Sequence, residues 1–448
     1  MKRFLAHVII EAKTPLKVGG GKNDLFLDAP VQRDWNGLPM ILGTSVAGIL
    51  RRAFEDLKGG DDKNEIFGMK DERDPNKQKG SRLIISNALL LVDKNNKVCE
   101  ELLLEKSDFL RLFDILPIRD HVAIGANGAA KDAGKFDEEV VFKGTRFKFS
   151  LEFDGSKEEF EEILNLLCDP TLRLGGGSSK GFGSLGILEI KWGEFELDRY
   201  SSSLNFSSDE FAKFMPESAK DDNLKRQKFI RYELKISPDD FFMFGSGFGD
   251  KDADQTPVLE SVIDYKNERL SKRKILIPAS SVKGALSHRT AFYFNKINKQ
   301  FGEKAKVGSE NEAVRKIFGY EKNKNEKGSK GKILISDCFL DYDEAKDTKV
   351  FEHVSIDRFT GGAIDSALFQ EKAVAKRDKF IIEILLKNDA RDDTEKRAFK
   401  NVLEAFETAL DDLVKGRLPL GGATTKGYGF FKGKVLKYNE GRIENEKE

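Results

Sequence analysis

The chain repeats itself, and the repeat limits what it can fold into. Residues 172–183 read LRLGGGSSKGFG and residues 418–429 read LPLGGATTKGYG. Aligned on the lysines, Gly175-Gly176 match Gly421-Gly422, Ser178-Ser179 match Thr424-Thr425, and Lys180-Gly181 match Lys426-Gly427. Phe182-Gly183 then match Tyr428-Gly429. A pattern kept this long near the end of each half means two copies of one domain. Earlier segments pair in the same order. Apolar stretches at 4–12 and 228–236 run into the proline turns Thr14-Pro15 and Ser237-Pro238. Glycine-rich runs follow, and then DAPV at 28–31 and QTPV at 255–258. PMILGTSVAGILRRAF (39–54) matches KILIPASSVKGALSHRTAF (274–292), each a strand breaking into a helix with Thr44 or Ser280 placed to cap it.

Within each copy the order is strand–helix–strand, then strand–helix–strand. That order predicts an α+β architecture of two tandem ferredoxin-like domains, each one sheet with helices on one face and long inserted loops. Among the later pairs, DHVAIGANGAAKDAGKFDEEVV (120–141) matches EHVSIDRFTGGAIDSALFQEKAV (352–374). The expected boundaries are a first domain over 1–200, a polar linker over 201–226, a second domain over 227–440 and a charged tail over 441–448.

Composition narrows the partners. Lysine plus arginine and aspartate plus glutamate number 76 each, so no whole-chain field favours a polyanion and any such site must be a local cluster. Three scattered cysteines form no CxxC pair, which argues against a disulfide framework or structural zinc and suits a reducing compartment. The first residues show no signal-peptide core, and no run approaches the ~20 apolar residues of a membrane span. The expectation is a soluble, cytoplasmic protein with no membrane partner.

The glycine loops carry the clearest chemistry. Consecutive glycines let a backbone approach a ligand closely, and their amides can form an anion-binding nest. The hydroxyls (Ser178, Ser179, Thr424, Thr425) and lysines (Lys180, Lys426) add donors suited to phosphate. The plain alternative is a turn that needs positive φ, but two copies that keep lysine, hydroxyls and an aromatic favour phosphate binding. Neither lysine is followed by Ser or Thr, so the loops do not read as nucleoside-triphosphate sites. At the helix starts, Thr44-Ser45 and Ser280-Ser281 either cap the helix or hold a phosphate, and Lys283 tips the second toward RNA. Arg51, Arg52, His288 and Arg289 lie one turn further on, facing the same strand or solvent. Asp28 follows a glycine-rich stretch and precedes Pro30, so it falls on a loop, either as an ordinary loop acid or as one able to orient a 2′-hydroxyl or hold a divalent ion. His121 and His353 recur in an HV pair, as half-buried residues of an apolar alternation or as a general acid or base.

The run GGGKNDLFLDAPVQRDWNGLPMILGTSVAGILRRAF, the loop LGGGSSKGFG, and PASSVKGALSHR with LGGATTKGYG resemble the backbone RAMP subunits of type III CRISPR effector complexes. Two such domains in one chain look like the tandem subunits of type III-D-like systems. The resemblance implies RRM-like (RAMP) domains that bind a guide CRISPR RNA along its backbone while base pairing selects the target. It implies cleavage of complementary single-stranded target RNA with a divalent cation, Mg²⁺, alongside other type III effector subunits. Its catalytic aspartate, a possible metal ligand, maps onto Asp28, and its RNA contacts map onto the glycine loops, Ser45, Arg51, Ser280, Ser281 and Lys283. In the second copy Gln255 replaces the aspartate, with Asp254 beside it as a weaker candidate. Ala47 replaces the usual lysine of the first helix. Two alternatives remain: a scaffold that binds RNA without cutting it, and a guide-processing RAMP endoribonuclease, which would need His121 or His353 for catalysis.

Overall fold

A computed structural model describes residues 2–20, 29–58, 62–69, 78–125, 129–196, 211–216, 229–321, 326–388, 393–439 and 442–446. The first strand, Lys2–Ala12, is apolar at both parities. Phe4, Ala6, Val8 and Ile10 enter the main core, while Leu5 meets Phe195 and Phe211 on the other face. A strand buried on both faces belongs in the middle of a sheet. Lys2–Ala12 accordingly pairs antiparallel with Arg146–Phe153 on one side and Leu185–Glu196 on the other. Leu83–Ile85 extends the sheet beyond Arg146–Phe153. Ala212–Lys213, inside the stretch expected to be a linker, pairs with Leu185–Glu196 at the other edge.

Two helices cover one face of this sheet. Gly43–Lys58 buries Val46, Leu50, Ala53 and Phe54 as a single stripe. Lys157–Leu167 buries Phe160, Ile163, Leu164 and Leu167, and its start is fixed by a capping box between Ser156 and Glu159.

The second copy repeats the plan. Its sheet runs Ile333–Ile335, Phe380–Lys387, Phe229–Pro238, Phe431–Asn439 and Arg442–Glu446, with all pairs antiparallel. The helices Ala279–Ile297 and Asp393–Val414 pack on it. In both copies the strand order is that of a ferredoxin-like sheet, with the first strand central. The α+β architecture of two tandem domains is therefore present.

The helix starts differ from the sequence reading. The first helix begins at Gly43, whose N–H is accepted by Asn87 Oδ1 at 3.0 Å. The second begins at Ala279, whose N–H is accepted by Asp337 Oδ1 at 2.8 Å. The caps thus come from distant side chains and not from Thr44 or Ser280.

Between the second and third sheet strands each copy inserts a long hairpin, Ile118–Ile124 with Ala130–Glu139 and Thr348–Ile356 with Ala363–Val374. The bases of the hairpins are buried (Glu138, Glu139, Ala373, Val374), while Val122, Ile124, Val354 and Ile356 further out are exposed.

The two copies interlock. Ile263 and Tyr265, from the second half, are members of the first domain's core. The Tyr265 hydroxyl donates to Leu91 O at 3.1 Å, and its ring meets Phe109 edge-on at 5.0 Å. Gly144 has φ +88° and lies where a Cβ would sit 2.4 Å from Ile263 O, so only glycine lets these segments approach. Beside them Arg119 of the first hairpin is buried between Glu260 (2.8 Å) and Asp337 (2.6 Å) of the second domain. Burial works against its charge, but Asp337 and Glu260 outweigh it and hold its pKa above the ordinary value.

Candidate functional site

Each glycine loop closes against the base of its own hairpin through the same set of residues. In the first domain Lys180 Nζ lies 3.3 Å from Glu138 Oε1 and 4.5 Å from the centre of the Phe136 ring. In the second, Lys426 Nζ lies 2.6 Å from Glu371 Oε1 and 4.6 Å from the Phe369 ring. On the neighbouring hairpin strand, His121 stacks on Phe136 and His353 on Phe369, ring centroids 5.0 Å apart in both cases. Their Nε2 atoms approach the other carboxylate oxygen, 3.3 Å for His121 to Glu138 and 2.8 Å for His353 to Glu371. Both carboxylates are buried. The recurring histidines thus lie between an aromatic ring and a carboxylate in both copies.

Strand pairing explains how the sequence builds this. His121 faces Phe136 and His353 faces Phe369 across the hairpins, and the glutamate sits two residues past the phenylalanine, on the same face. Glu138 and Glu371 were visible in the aligned segments FDEEVV and FQEKAV but had no partner there. Only the long-range register gives them one.

The loops themselves follow one backbone path. Gly175 (φ +80°) and Gly421 (φ +92°) lie where a Cβ would sit 2.2 Å from Lys17 O and 2.4 Å from Met243 O. The next amides, Gly176 and Gly422, donate to those same carbonyls at 2.8 and 2.7 Å. Lys17 and Met243 are therefore equivalent positions. The difference matters, because Lys17 Nζ reaches Glu138 Oε1 at 2.5 Å and methionine cannot. Burial pushes the Glu138 pKa up, but hydrogen bonds from His121 and Lys17 and the charges of Lys180 and Lys17 outweigh it and take it down to about 2.

The first loop also meets the second domain. Gly181 (φ +109°) packs where a Cβ would sit 2.2 Å from Asp337 Oδ1 and 2.9 Å from Ala279 Cβ, at the start of the helix Ala279–Ile297. Lys283, one turn along, donates from Nζ to Ser179 Oγ at 3.0 Å. Burial, and then the nearby charge of Lys180, lowers the Lys283 pKa. Ser179 and Lys180 of the glycine loop and Lys283 of the helix start, which the sequence placed in two separate sites, are thus brought together, with Ser280 and Ser281 half-buried beside Ala279. Ser178 is buried within the loop. Thr424 and Thr425 form a short 3₁₀ turn with Lys426. Ser45 and Arg51 lie half-buried on the helix Gly43–Lys58.

Asp28 lies outside the described residues. Asp254 is exposed, and its carboxylate accepts the Gln370 N–H at 2.8 Å. Among the described residues one group of three carboxylates is close enough to share a metal ion: Asp250, Asp252 and Glu344. Their donor set does not fit one, because Lys372 Nζ already sits among them, 2.6, 3.3 and 2.8 Å away respectively. Burial lowers the pKa of this ammonium, yet its hydrogen bonds to Asp250, Glu344 and Asp252 hold it above the ordinary value. The equivalent residue of the first hairpin is Glu139, which accepts the Val31 N–H at 2.7 Å and pairs with Arg33 at 2.9 Å. The segment following Asp28 is therefore anchored by a carboxylate, whereas in the second copy a cation holds the acidic segment that precedes Gln255.

Comparison with known proteins agrees with this doubling. The chain is 29% identical over 217 residues to the CRISPR system Cms endoribonuclease Csm3 of Methanocaldococcus jannaschii, which covers 42% of this chain and 80% of that protein. A chain in the cryo-EM structure of the Type III-B Cmr-beta bound to cognate target RNA aligns at 16% identity with a TM-score of 0.32. That alignment covers 43% of the present chain and spans 61% of the other. Residues 9–186 and 243–432 each match the RAMP superfamily, one match per copy, and the chain belongs to that superfamily.

Proposed function

We propose that this chain is a tandem backbone subunit of a cytoplasmic type III CRISPR ribonucleoprotein, binding guide CRISPR RNA and cleaving complementary single-stranded target RNA. The observation that carries this reading is the double match to the RAMP superfamily, together with the likeness to a Csm3 endoribonuclease. The first glycine loop supports it, since Lys17 and Lys180 meet there at one carboxylate and Lys283 reaches the loop at Ser179. The proposed guide contacts are the amides and hydroxyls of this loop with Lys180, and Ser45, Arg51, Ser280, Ser281 and Lys283 at the helix starts. Other type III effector subunits are the proposed protein partners. No described helix is long and apolar enough to cross a membrane.

Asp28 is the proposed catalytic residue, orienting a target 2′-hydroxyl for in-line attack on the adjacent phosphorus. The new bond joins O2′ to phosphorus as the 2′-hydroxyl gives its proton to the Asp28 carboxylate, and the bond to the departing 5′-oxygen breaks as that oxygen takes a proton from water. A divalent cation, Mg²⁺ in the first instance, would supply charge neutralisation when bound near Asp28. In the second copy Lys372 neutralises the acidic segment, which favours a non-cutting, RNA-binding role for that domain. The stretch DAPVQRD favours the target-cleaving reading over a guide-processing enzyme, which would cut repeat RNA alone, without partners.

The test is cleavage mapping on the complex assembled with its guide, using end-labelled complementary RNA with Mg²⁺ and with chelator. Asp28→Ala should remove one discrete product while target binding persists. An unchanged ladder would make the chain a scaffold or move the chemistry to Asp254.

A further inference from the structure

The two glycine loops share a backbone path but not a charge balance. Around Glu138 the first loop places Lys17 at 2.5 Å and Lys180 at 3.3 Å, and Lys283 of the second domain reaches the neighbouring Ser179. Two ammonium groups therefore face one carboxylate, and a third stands beside the loop at Ser179. Around Glu371 the second loop places one ammonium, Lys426 at 2.6 Å, with His353 on the other oxygen. The Lys17 position is Met243 there. One buried anion faces one lysine.

We propose that the first loop is the chain's phosphate-binding loop, with Lys17 as a further contact beside Lys180 and Lys283, and that Lys426 is instead a fixed counter-ion fastening the second loop to its hairpin. This rests on the RNA-backbone reading above and names where the backbone is gripped. If a phosphate draws Lys180 away from Glu138, the carboxylate keeps Lys17 at the same oxygen, so no buried charge is stranded. If it draws Lys426 away, Glu371 loses its only lysine among the described residues while 3% exposed. An uncompensated buried carboxylate is costly, so the second loop resists that exchange. The Lys283 ammonium has a hydroxyl as its hydrogen-bond partner, and an arriving phosphate supplies a charged acceptor in its place.

The test uses the full chain and a single-stranded RNA oligonucleotide, with affinity measured across a salt series and thermal melting in parallel. Lys17→Ala and Lys180→Ala should each reduce the slope of log affinity against log salt by about 0.7, with little change in melting temperature. Lys426→Ala should keep the wild-type slope and lower the melting temperature by about 5 °C or more. The double variant Lys426→Ala/Glu371→Gln, which removes the stranded charge, should regain most of that loss. A Lys426→Ala slope reduced as much as that of Lys180→Ala, at unchanged melting temperature, would overturn the proposal. Slopes unchanged in all the variants would sink the RNA-backbone reading itself, and a lost slope confined to Lys426→Ala would reverse the assignment of the loops.

Discussion

Glu138 joins a hairpin base to a glycine loop, and its acidity is the residue-scale handle on that joint. Its pKa, about 2 in the folded chain, lies below the ordinary 4.5. A depressed carboxylate stabilises the fold fully above its unfolded pKa, and the contribution is lost as pH falls through the folded value. The stability at stake therefore disappears between about pH 4.5 and pH 2. Glu138→Gln should be less stable than wild type near neutrality and should lose stability less steeply across that window, as read by denaturant midpoints at several pH values. An equal slope would mean that other carboxylates govern acid unfolding. From the sequence, Lys180 and Lys426 were evident as residues of a repeated motif. Their partners were not, because Glu138 and Glu371 meet them only through hairpin pairing, and Lys17 stands outside every motif.

At the scale of elements, the helices were legible where their signals are local. The helix Lys157–Leu167 lies in the helix-forming run KEEFEEILNLLC, and its start carries the Ser156–Glu159 capping box. Ser156→Ala should cost about 1 kcal/mol in urea unfolding, since the Glu159 N–H loses its acceptor while the backbone N–H of residue 156 still donates to the Glu159 carboxylate. A cost near zero would show that packing of Phe160 and Ile163 alone fixes the helix. Helix starts at Gly43 and Ala279 were misread for the opposite reason. Thr44 and Ser280 have the right side chains for capping, but Asn87 and Asp337 arrive from other segments and take the first amide. The hairpins were visible as repeated segments, yet their pairing needs register, which alternation alone does not supply.

For the whole molecule, duplication was legible and interlocking was not. Nothing in the spacing of Arg119 announces that it will lie between Glu260 and Asp337, more than a hundred residues away. Arg119→Met leaves both carboxylates buried without their cation and should destabilise the folded chain by about 3–5 kcal/mol. Calorimetry should then resolve two transitions, one per domain; a single shifted transition would mean that Tyr265 and Ile263 alone keep the halves cooperative. Those two residues have a consequence in time as well as in space. The first core contains side chains from positions 263 and 265, beyond the first strand of the second domain. A ribosome making this chain must carry synthesis past Tyr265 before the first core can close, so the two domains mature together instead of one after the other.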